Sequence, residues 1–265
     1  MNKKFKLATA VTLITLGLSG CGGVNDKTPE AAYQSLQNAE AEHNVDTVMG
    51  MISSDYAKKM GISDMNLVKE EFSKKLNDLK ASEYKLVNVN VTGVDKISDT
   101  VSVVHADTRF KTNASQDVKT TSDDTAVFVN EDGHWKYSLL NYIDTFQYQN
   151  KCGTNGPIEI CVNKINYFSN QLAVDVSITN KSNDQYKLGF ASESGLALHT
   201  TSGQTFQGTT SGEINPGKQT GKLILSSGII GKNDFDAFQI DSIIKMSGGL
   251  PSGFDSGLTV QVKLK

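Results

Sequence analysis

Residues 172–179 read LAVDVSIT, and this stretch decides the fold class of the second half of the chain. Apolar side chains occupy the even positions from Leu172 to Ile178, and smaller or polar side chains occupy the odd positions. Because consecutive side chains of a strand point to opposite faces of its sheet, this alternation predicts a strand with one buried and one solvated face. Residues 260–264 (VQVKL) alternate in the same way and predict a second such strand.

Short apolar runs surround these two strands, and glycine, asparagine and serine separate them. Short strands at such intervals, without helical periodicity, are typical of a β-sandwich. We therefore assign residues 148–265 to an all-β sandwich domain. The apolar runs are residues 158–165, 186–190, 196–199, 222–225 and 235–240.

The first half of the chain has a different pattern of apolar residues, which begins with helical spacing. Thr28 is a candidate capping residue and Pro29 follows it, which is a common start of a helix. Apolar residues at helical spacing continue to residue 82. From residue 84 the pattern favours strands, and residues 131–133 (EDG) are a hairpin turn signal. Helices followed by consecutive strands predict an α+β domain over residues 29–147, with the helices on one face of an antiparallel sheet. The predicted strands are residues 84–91, 100–110, 118–130 and 135–143.

The first 20 residues have the three-part layout of an export signal. Lysines at positions 3, 4 and 6 precede an apolar stretch at residues 7–18, and small residues follow it. A membrane-spanning helix is one alternative, but the stretch is shorter than the about 20 apolar residues that a bilayer requires. An ordinary secretory signal is another, although its cleavage site would favour an A-x-A-like sequence.

Residues 18–21 (LSGC) resemble the lipobox of bacterial lipoproteins. The resemblance implies that the thiol of Cys21 receives a diacylglycerol and that cleavage after Gly20 makes Cys21 the first residue. Residues 1–20 are then a lipoprotein signal peptide, and residues 21–28 a short flexible tether. The protein would be anchored to a membrane through Cys21. It would face the outside of a Gram-positive cell, or the periplasm of a Gram-negative one.

Cys152 and Cys161 are the two other cysteines, and a glycine- and proline-containing segment separates them. In an exported protein such a pair suggests a disulfide. A metal pair and two free thiols are the alternatives. A structural metal site uses four ligands, and no further cysteine or histidine lies close in sequence.

The charge pattern argues against nucleic acid as a partner. The formal net charge is −3, and Arg109 is the only arginine. Removing a signal that contains three lysines and no acidic residue makes the mature chain more acidic still. Nucleic-acid-binding domains carry a basic patch, which this composition does not supply.

Catalytic and metal-binding motifs give little support to an enzyme. The sequence contains no G-x-S-x-G, H-E-x-x-H, P-loop or C-x-x-C motif, and its four histidines are scattered. Residues 130–133 (NEDG) lack the alternating ligands of a calcium loop, so we read them as a turn. We predict no metal and no cofactor.

Candidate pocket residues lie on the second predicted strand. His105, Asp107 and Arg109 share one face with two valines, so an inward-facing strand would present an acid–base pair. The alternative is that this end of the strand faces water, where such charges contribute little. Trp135, the only tryptophan, is a candidate for the mouth of a pocket or for the core of the hairpin.

The order of elements, the domain size and residues 132–137 (DGHWKY) resemble the nuclear transport factor two-like fold. The resemblance covers residues 29–145 and implies a cone-like domain that could hold a small ligand or a peptide. Members of that family include isomerases and dehydratases, which work with acid–base groups inside the cone.

Three segments of the second half resemble the telokin-like, immunoglobulin-like domain of bacterial surface lipoproteins. They are residues 174–182 (VDVSITNKS), 198–206 (LHTTSGQTF) and 215–218 (NPGK). The resemblance covers residues 150–265 and implies a core strand, a strand pair around a turn, and a turn before a further strand. It predicts an immunoglobulin-like sandwich that serves as an interaction or spacer domain.

Together these patterns predict a membrane-anchored, extracytoplasmic lipoprotein that is not an enzyme. It would bind a small ligand or a protein of the cell envelope. Two alternatives stay open at this point. One is an enzyme of the cone fold that uses isomerase-like or dehydratase-like acid–base chemistry, and the other is a purely structural subunit of an envelope complex.

Overall fold

The computed structural model describes residues 24–189, 193–226, 235–252 and 257–265. The predicted signal peptide and Cys21 lie outside the described residues. Among the residues that are described, no helix is long and apolar enough to cross a membrane.

Four helices open the first domain, and a side chain caps each of them. The Thr28 hydroxyl accepts a hydrogen bond from Ala31 N at the first helix, and Asn44, Ser53 and Asp64 cap the next three in the same way. Such caps satisfy backbone N–H groups that have no partner inside the helix. The helices are α1 (Pro29–Ala41), α2 (Val45–Gly50), α3 (Ser54–Lys59) and α4 (Met65–Ala81).

An antiparallel sheet follows the helices, with its strands side by side in chain order. On the helix-facing side of the sheet, Val104, Ala106 and Phe128 pack with Tyr33 and Leu36 of α1 in one buried cluster. This is the α+β layout expected from helices followed by consecutive strands. The strands are β1 (Lys85–Lys96), β2 (Val101–Thr112), β3 (Ser115–Glu131) and β4 (His134–Tyr137).

The link between the domains is a short irregular segment at Leu139–Asn141. Leu140 and Asn141 have φ angles of 54° and 59°, which turn the chain sharply. The Asn141 amide holds this turn on β3, because Oδ1 accepts from Val127 N at 3.1 Å and Nδ2 donates to Thr125 O at 2.8 Å. The strand predicted at residues 135–143 is therefore two strands. The second begins at Tyr142, before the predicted boundary at residue 148, and belongs to the sandwich.

In the second domain, the described strands form two antiparallel sheets. One has the order β12-β7-β6-β5, and the other is built on β13, with β9, β8 and β15 as neighbours. The chain from residue 142 is therefore a β-sandwich, as expected. The strands are β5 (Tyr142–Asn155), β6 (Ile158–Phe168), β7 (Gln171–Asn180), β8 (Gln185–Leu188), β9 (Ser194–Thr200), β10 (Thr205–Thr210), β11 (Gly212–Ile214), β12 (Gly217–Ser226), β13 (Phe235–Ser247), β14 (Leu250–Pro251) and β15 (Leu258–Lys263).

The core of the sandwich follows the alternation in the sequence. Leu172, Val174, Val176 and Ile178 of β7 are all buried, as the pattern LAVDVSIT predicts. The same apolar cluster continues into the first domain through valines on the side of its sheet that faces away from the helices. The two domains thus share one continuous core. Those valines are Val101, Val103, Val127 and Val129.

Cys152 and Cys161 form a disulfide between β5 and β6. They lie directly opposite each other in the strand register, and their Cα atoms are 4.0 Å apart. In the entropic account, closing a loop this short stabilises the fold by about 2–3 kcal/mol. The bridge therefore pins the end of β5 to β6.

Candidate functional site

His105 lies on the outer side of the first sheet, away from the helices. Val104 and Ala106, its neighbours on β2, face the helix side, so strand alternation directs His105 to the other face. There the imidazole Nε2 is 3.0 Å from Asp95 Oδ2, and Nδ1 is 3.6 Å from Asp123 Oδ1. The side chain of His105 is 22% exposed, and that of Asp123 is 87% exposed.

The structure therefore gives His105 partners other than the predicted Asp107. Asp107 Oδ1 accepts a hydrogen bond from Asp123 N at 3.1 Å, and Arg109 is exposed farther along the strand. Because these charges lie at a solvated surface, each pairing contributes little to stability. The geometry matches the alternative in which this end of the strand faces water. Among the described residues, no group of three or more histidine, cysteine, aspartate or glutamate side chains could hold a metal ion.

The His105 cluster lies beside the domain junction. His105 is opposite Thr125 in the register of β2 and β3. The Thr125 hydroxyl is 3.5 Å from the hydroxyl of Ser169, in the turn between β6 and β7. A ligand at this position would touch both domains.

Trp135 lies on the opposite side of the sheet from His105. Its ring is partly buried and packs against the cluster between the helices and the sheet. Its backbone N–H donates to Asp26 O at 2.8 Å. The four predicted pocket residues are thus divided between two faces of the sheet, and the structure does not bring them together.

A second polar cluster lies under the helices and was not predicted. The hydroxyl of Tyr33 on α1 donates to Asp124 Oδ2 at 2.8 Å and is 3.4 Å from the hydroxyl of Thr108. Burial, together with the negative charges of Asp124 and Glu40, raises the pKa of Tyr33. The phenol therefore stays protonated and acts as a hydrogen-bond donor to the carboxylate. No local pattern could reveal this contact, because it joins a helix to two strands far apart in sequence.

Large side chains fill the space around this cluster. Tyr33, Phe128 and Leu76 are each at most 1% exposed. The ring of Phe128 meets Tyr33 edge-on, with centroids 6.3 Å apart, and lies 6.0 Å from Tyr137. The interior between α1 and the sheet is packed as a hydrophobic core.

Tyr137 gives this core an alkaline limit of stability. Burial raises its pKa to about 12 from the usual 10. Between these values the unfolded chain loses the phenol proton and the folded chain keeps it, so stability decreases as pH rises from 10 towards 12. A shift of this size corresponds to about 3 kcal/mol. We expect Tyr137→Phe to reduce the alkaline loss, measured as urea unfolding between pH 8 and 12, and equal pH slopes for both proteins would contradict the assignment.

The surface of the described residues includes two open grooves. One, of about 560 Å³, follows the exposed side of α4. The other, of about 450 Å³, lies on the outer face of the sandwich, where Gln147, Lys164, Asp175 and Lys222 align across four strands. Lys164 Nζ is 3.3 Å from Asp175 Oδ2. Both grooves are lined mainly by polar and charged residues and are open to solvent, and so suit a partner surface better than an enclosed small molecule.

Comparisons with known proteins place the chain in no family. No family model matches it, and no curated protein matches it. Among solved structures, it is similar to the solution structure of a SEC-C motif containing protein from Rhodopseudomonas palustris. That protein is 15% identical, and the match covers 42% of this chain and 76% of that chain with a TM-score of 0.32. A likeness this weak carries no functional argument.

Proposed function

We propose that the chain is a membrane-anchored, extracytoplasmic lipoprotein whose two domains bind an envelope protein and carry out no reaction. The observation that carries this proposal is the run of residues 18–21 (LSGC) behind a basic and apolar leader. The disulfide between Cys152 and Cys161 supports it, since disulfides persist mainly outside the cytoplasm.

The layout supports a pair of binding modules. An α+β domain followed by a β-sandwich agrees with the resemblance to a nuclear transport factor two-like domain and a telokin-like, immunoglobulin-like domain. On this proposal the sandwich serves as an interaction or spacer domain. The continuous core at the junction would let the two domains present one composite surface to a partner.

The distribution of polar groups favours binding over catalysis. His105 and Asp107 lie on a solvated face, and Trp135 lies on the other side of the same sheet. The Tyr33–Asp124 contact is partly buried, and the Tyr33 ring belongs to the helix-facing core. General acid–base catalysis needs such groups to converge within hydrogen-bond reach of a bound substrate, and their division between two faces of the sheet supports a binding role. A protein partner that covers the surface near the junction fits them better.

The anchor is tested by replacing Cys21 in the full-length chain expressed in a bacterium. We expect the unaltered protein in the membrane fraction, with the added mass of a lipid, and the Cys21→Ala protein in the soluble fraction. The double variant Cys152→Ser and Cys161→Ser is the matched control, because it replaces the two other cysteines together and leaves the lipobox intact. A Cys21→Ala protein that stays in the membrane fraction after a high-salt wash would refute the anchor. Cross-linking in cells, followed by purification, then identifies the partner.

A further inference from the structure

Residues 25–27, directly ahead of α1, are bound to the first domain, although the sequence predicted a flexible tether at residues 21–28. We propose that this attachment makes one side of the first domain its membrane-facing surface. The surface consists of Asn25, Asp26, Lys27 and His134, and we call it the N-terminal edge. This inference rests on the proposed acylation of Cys21.

Asn25 joins the chain to α1 through a pair of hydrogen bonds. Its backbone N–H donates to Ser35 Oγ at 3.2 Å, and the Ser35 hydroxyl donates to Asn25 O at 3.0 Å. Both backbone groups of Asn25 are therefore held by one side chain of the helix. Such a two-point attachment fixes the position and the direction of the chain at this residue.

Asp26 joins the chain to β4. Its carbonyl oxygen accepts from Trp135 N at 2.8 Å, and its carboxylate is 3.0 Å from His134 Nδ1. Lys27 Nζ is 3.4 Å from His134 Nε2, so the imidazole lies between an acid and a base. Backbone and side-chain contacts together hold residues 25–27 along the strand.

The remaining connection to the lipid is short. Four residue steps separate Cys21 from Asn25, and a fully extended chain spans at most about 14 Å over that distance. The first domain, with about 120 residues, is roughly 35 Å across. Because the connection is shorter than the domain, the domain cannot turn its opposite side to the bilayer. An acylated Cys21 therefore keeps the N-terminal edge at the membrane.

The chemistry of this edge fits a phospholipid surface. Val24, at its start, is 45% exposed, and Lys27 is exposed as well. An apolar side chain suits the interface of a bilayer, and the ammonium group of a lysine is attracted to anionic headgroups. Neither group would anchor the protein alone, but both can contact a bilayer that the lipid has already brought close.

Trp135 provides the measurement, because it is the only tryptophan and binds Asp26 directly. We suggest that the acylated full-length protein be inserted into vesicles of phosphatidylethanolamine and phosphatidylglycerol that contain a small fraction of dansyl-labelled headgroups. Energy transfer from tryptophan to dansyl then reports the distance between this edge and the membrane. We expect strong transfer in the unaltered protein.

Two insertions of the same length distinguish a fixed orientation of the N-terminal edge at the membrane from general closeness of the protein to the vesicle. A Gly-Ser segment of about 15 residues placed after Gly23 adds a span of roughly 20 Å and should reduce the transfer about twofold or more. The same segment placed between Ser202 and Gly203, in an exposed turn of the sandwich, should leave the transfer unchanged. Equal transfer in all three proteins would overturn the inference.

The outcome is distinct from that of the anchor test. If mass spectrometry finds no lipid on Cys21, the proposed function fails, and with it the basis of this inference. If Cys21 is acylated and transfer is weak in the unaltered protein, the anchor stands and the orientation is wrong. Circular dichroism of each insertion variant verifies that the fold is retained, so that a change in transfer reports geometry.

Discussion

A chain shortened by residues 260–265 should lose its folded second domain. These residues form most of β15, and residues 260–263 pair with residues 237–240 of β13. Val260, Val262 and Leu264 are at most 4% exposed. Burying three such side chains contributes about 5–9 kcal/mol. Domains have a total stability of about 5–15 kcal/mol, so the loss is comparable with the whole.

Thermal unfolding followed by circular dichroism, together with limited proteolysis, measures this effect. We expect proteolysis to cut the shortened chain within the sandwich, whereas Gln261→Ala, a change at an exposed position of the same strand, should behave like the unaltered protein. The first domain should lose less stability than the second, because its helix-facing cluster is separate from the sandwich core. An unchanged unfolding midpoint after the truncation would show that β15 is dispensable.

Local patterns predicted the elements that depend on local physics. The alternation in β7 and the Thr28 cap of α1 depend on residues a few positions apart, and the structure has both. The break at Leu140 and Asn141 was not predicted, because leucine rarely adopts a positive φ. The Asn141 amide holds that conformation through contacts with β3, which a local pattern cannot reveal.

The candidate site depended on strand register, and so it was only partly predictable. The alternation of side chains along a strand correctly grouped His105 with Val101 and Val103 on one face of the sheet. It could not identify Asp95 and Asp123 as the partners of His105, because those contacts depend on how three strands align. The docking of residues 25–27 was missed for the same reason, since their partners Ser35 and Trp135 are distant in sequence and no local pattern identifies them.

Gly153→Ala should destabilise the sandwich by about 3 kcal/mol or more, near the upper end for overpacking. Gly153 lies on β5 where β15 crosses it. A Cβ added there would overlap Gln261 O and lie 2.7 Å from Gln261 C. Both atoms belong to the backbone, so no side-chain rotation can relieve the clash. Urea unfolding measures the loss.

Gly93→Ala is the matched control, because it adds the same methyl group to a strand. A Cβ at Gly93 has no neighbour within 4 Å. Since glycine in a strand is less favourable than alanine by roughly 0.5–1 kcal/mol, this change should be neutral or slightly stabilising. A similar loss in both variants would mean that the effect arises from glycine itself and not from the close approach of β15.

The disulfide next to Gly153 allows a test of which strand, β5 or β15, moves to relieve the clash. Cys152 is bonded to Cys161 on β6, so β5 cannot withdraw from β15 while the bridge is intact. If the clash is relieved by movement of β5, replacing both cysteines by serine should lower the cost of Gly153→Ala. When mutated residues are in contact, the sum of their single effects on the free energy of unfolding differs from their combined effect by roughly 0.5–3 kcal/mol. A double-mutant cycle resolves a difference of this size. Strict additivity would mean that β15 moves instead, and that the bridge and the glycine stabilise the edge of the sandwich independently.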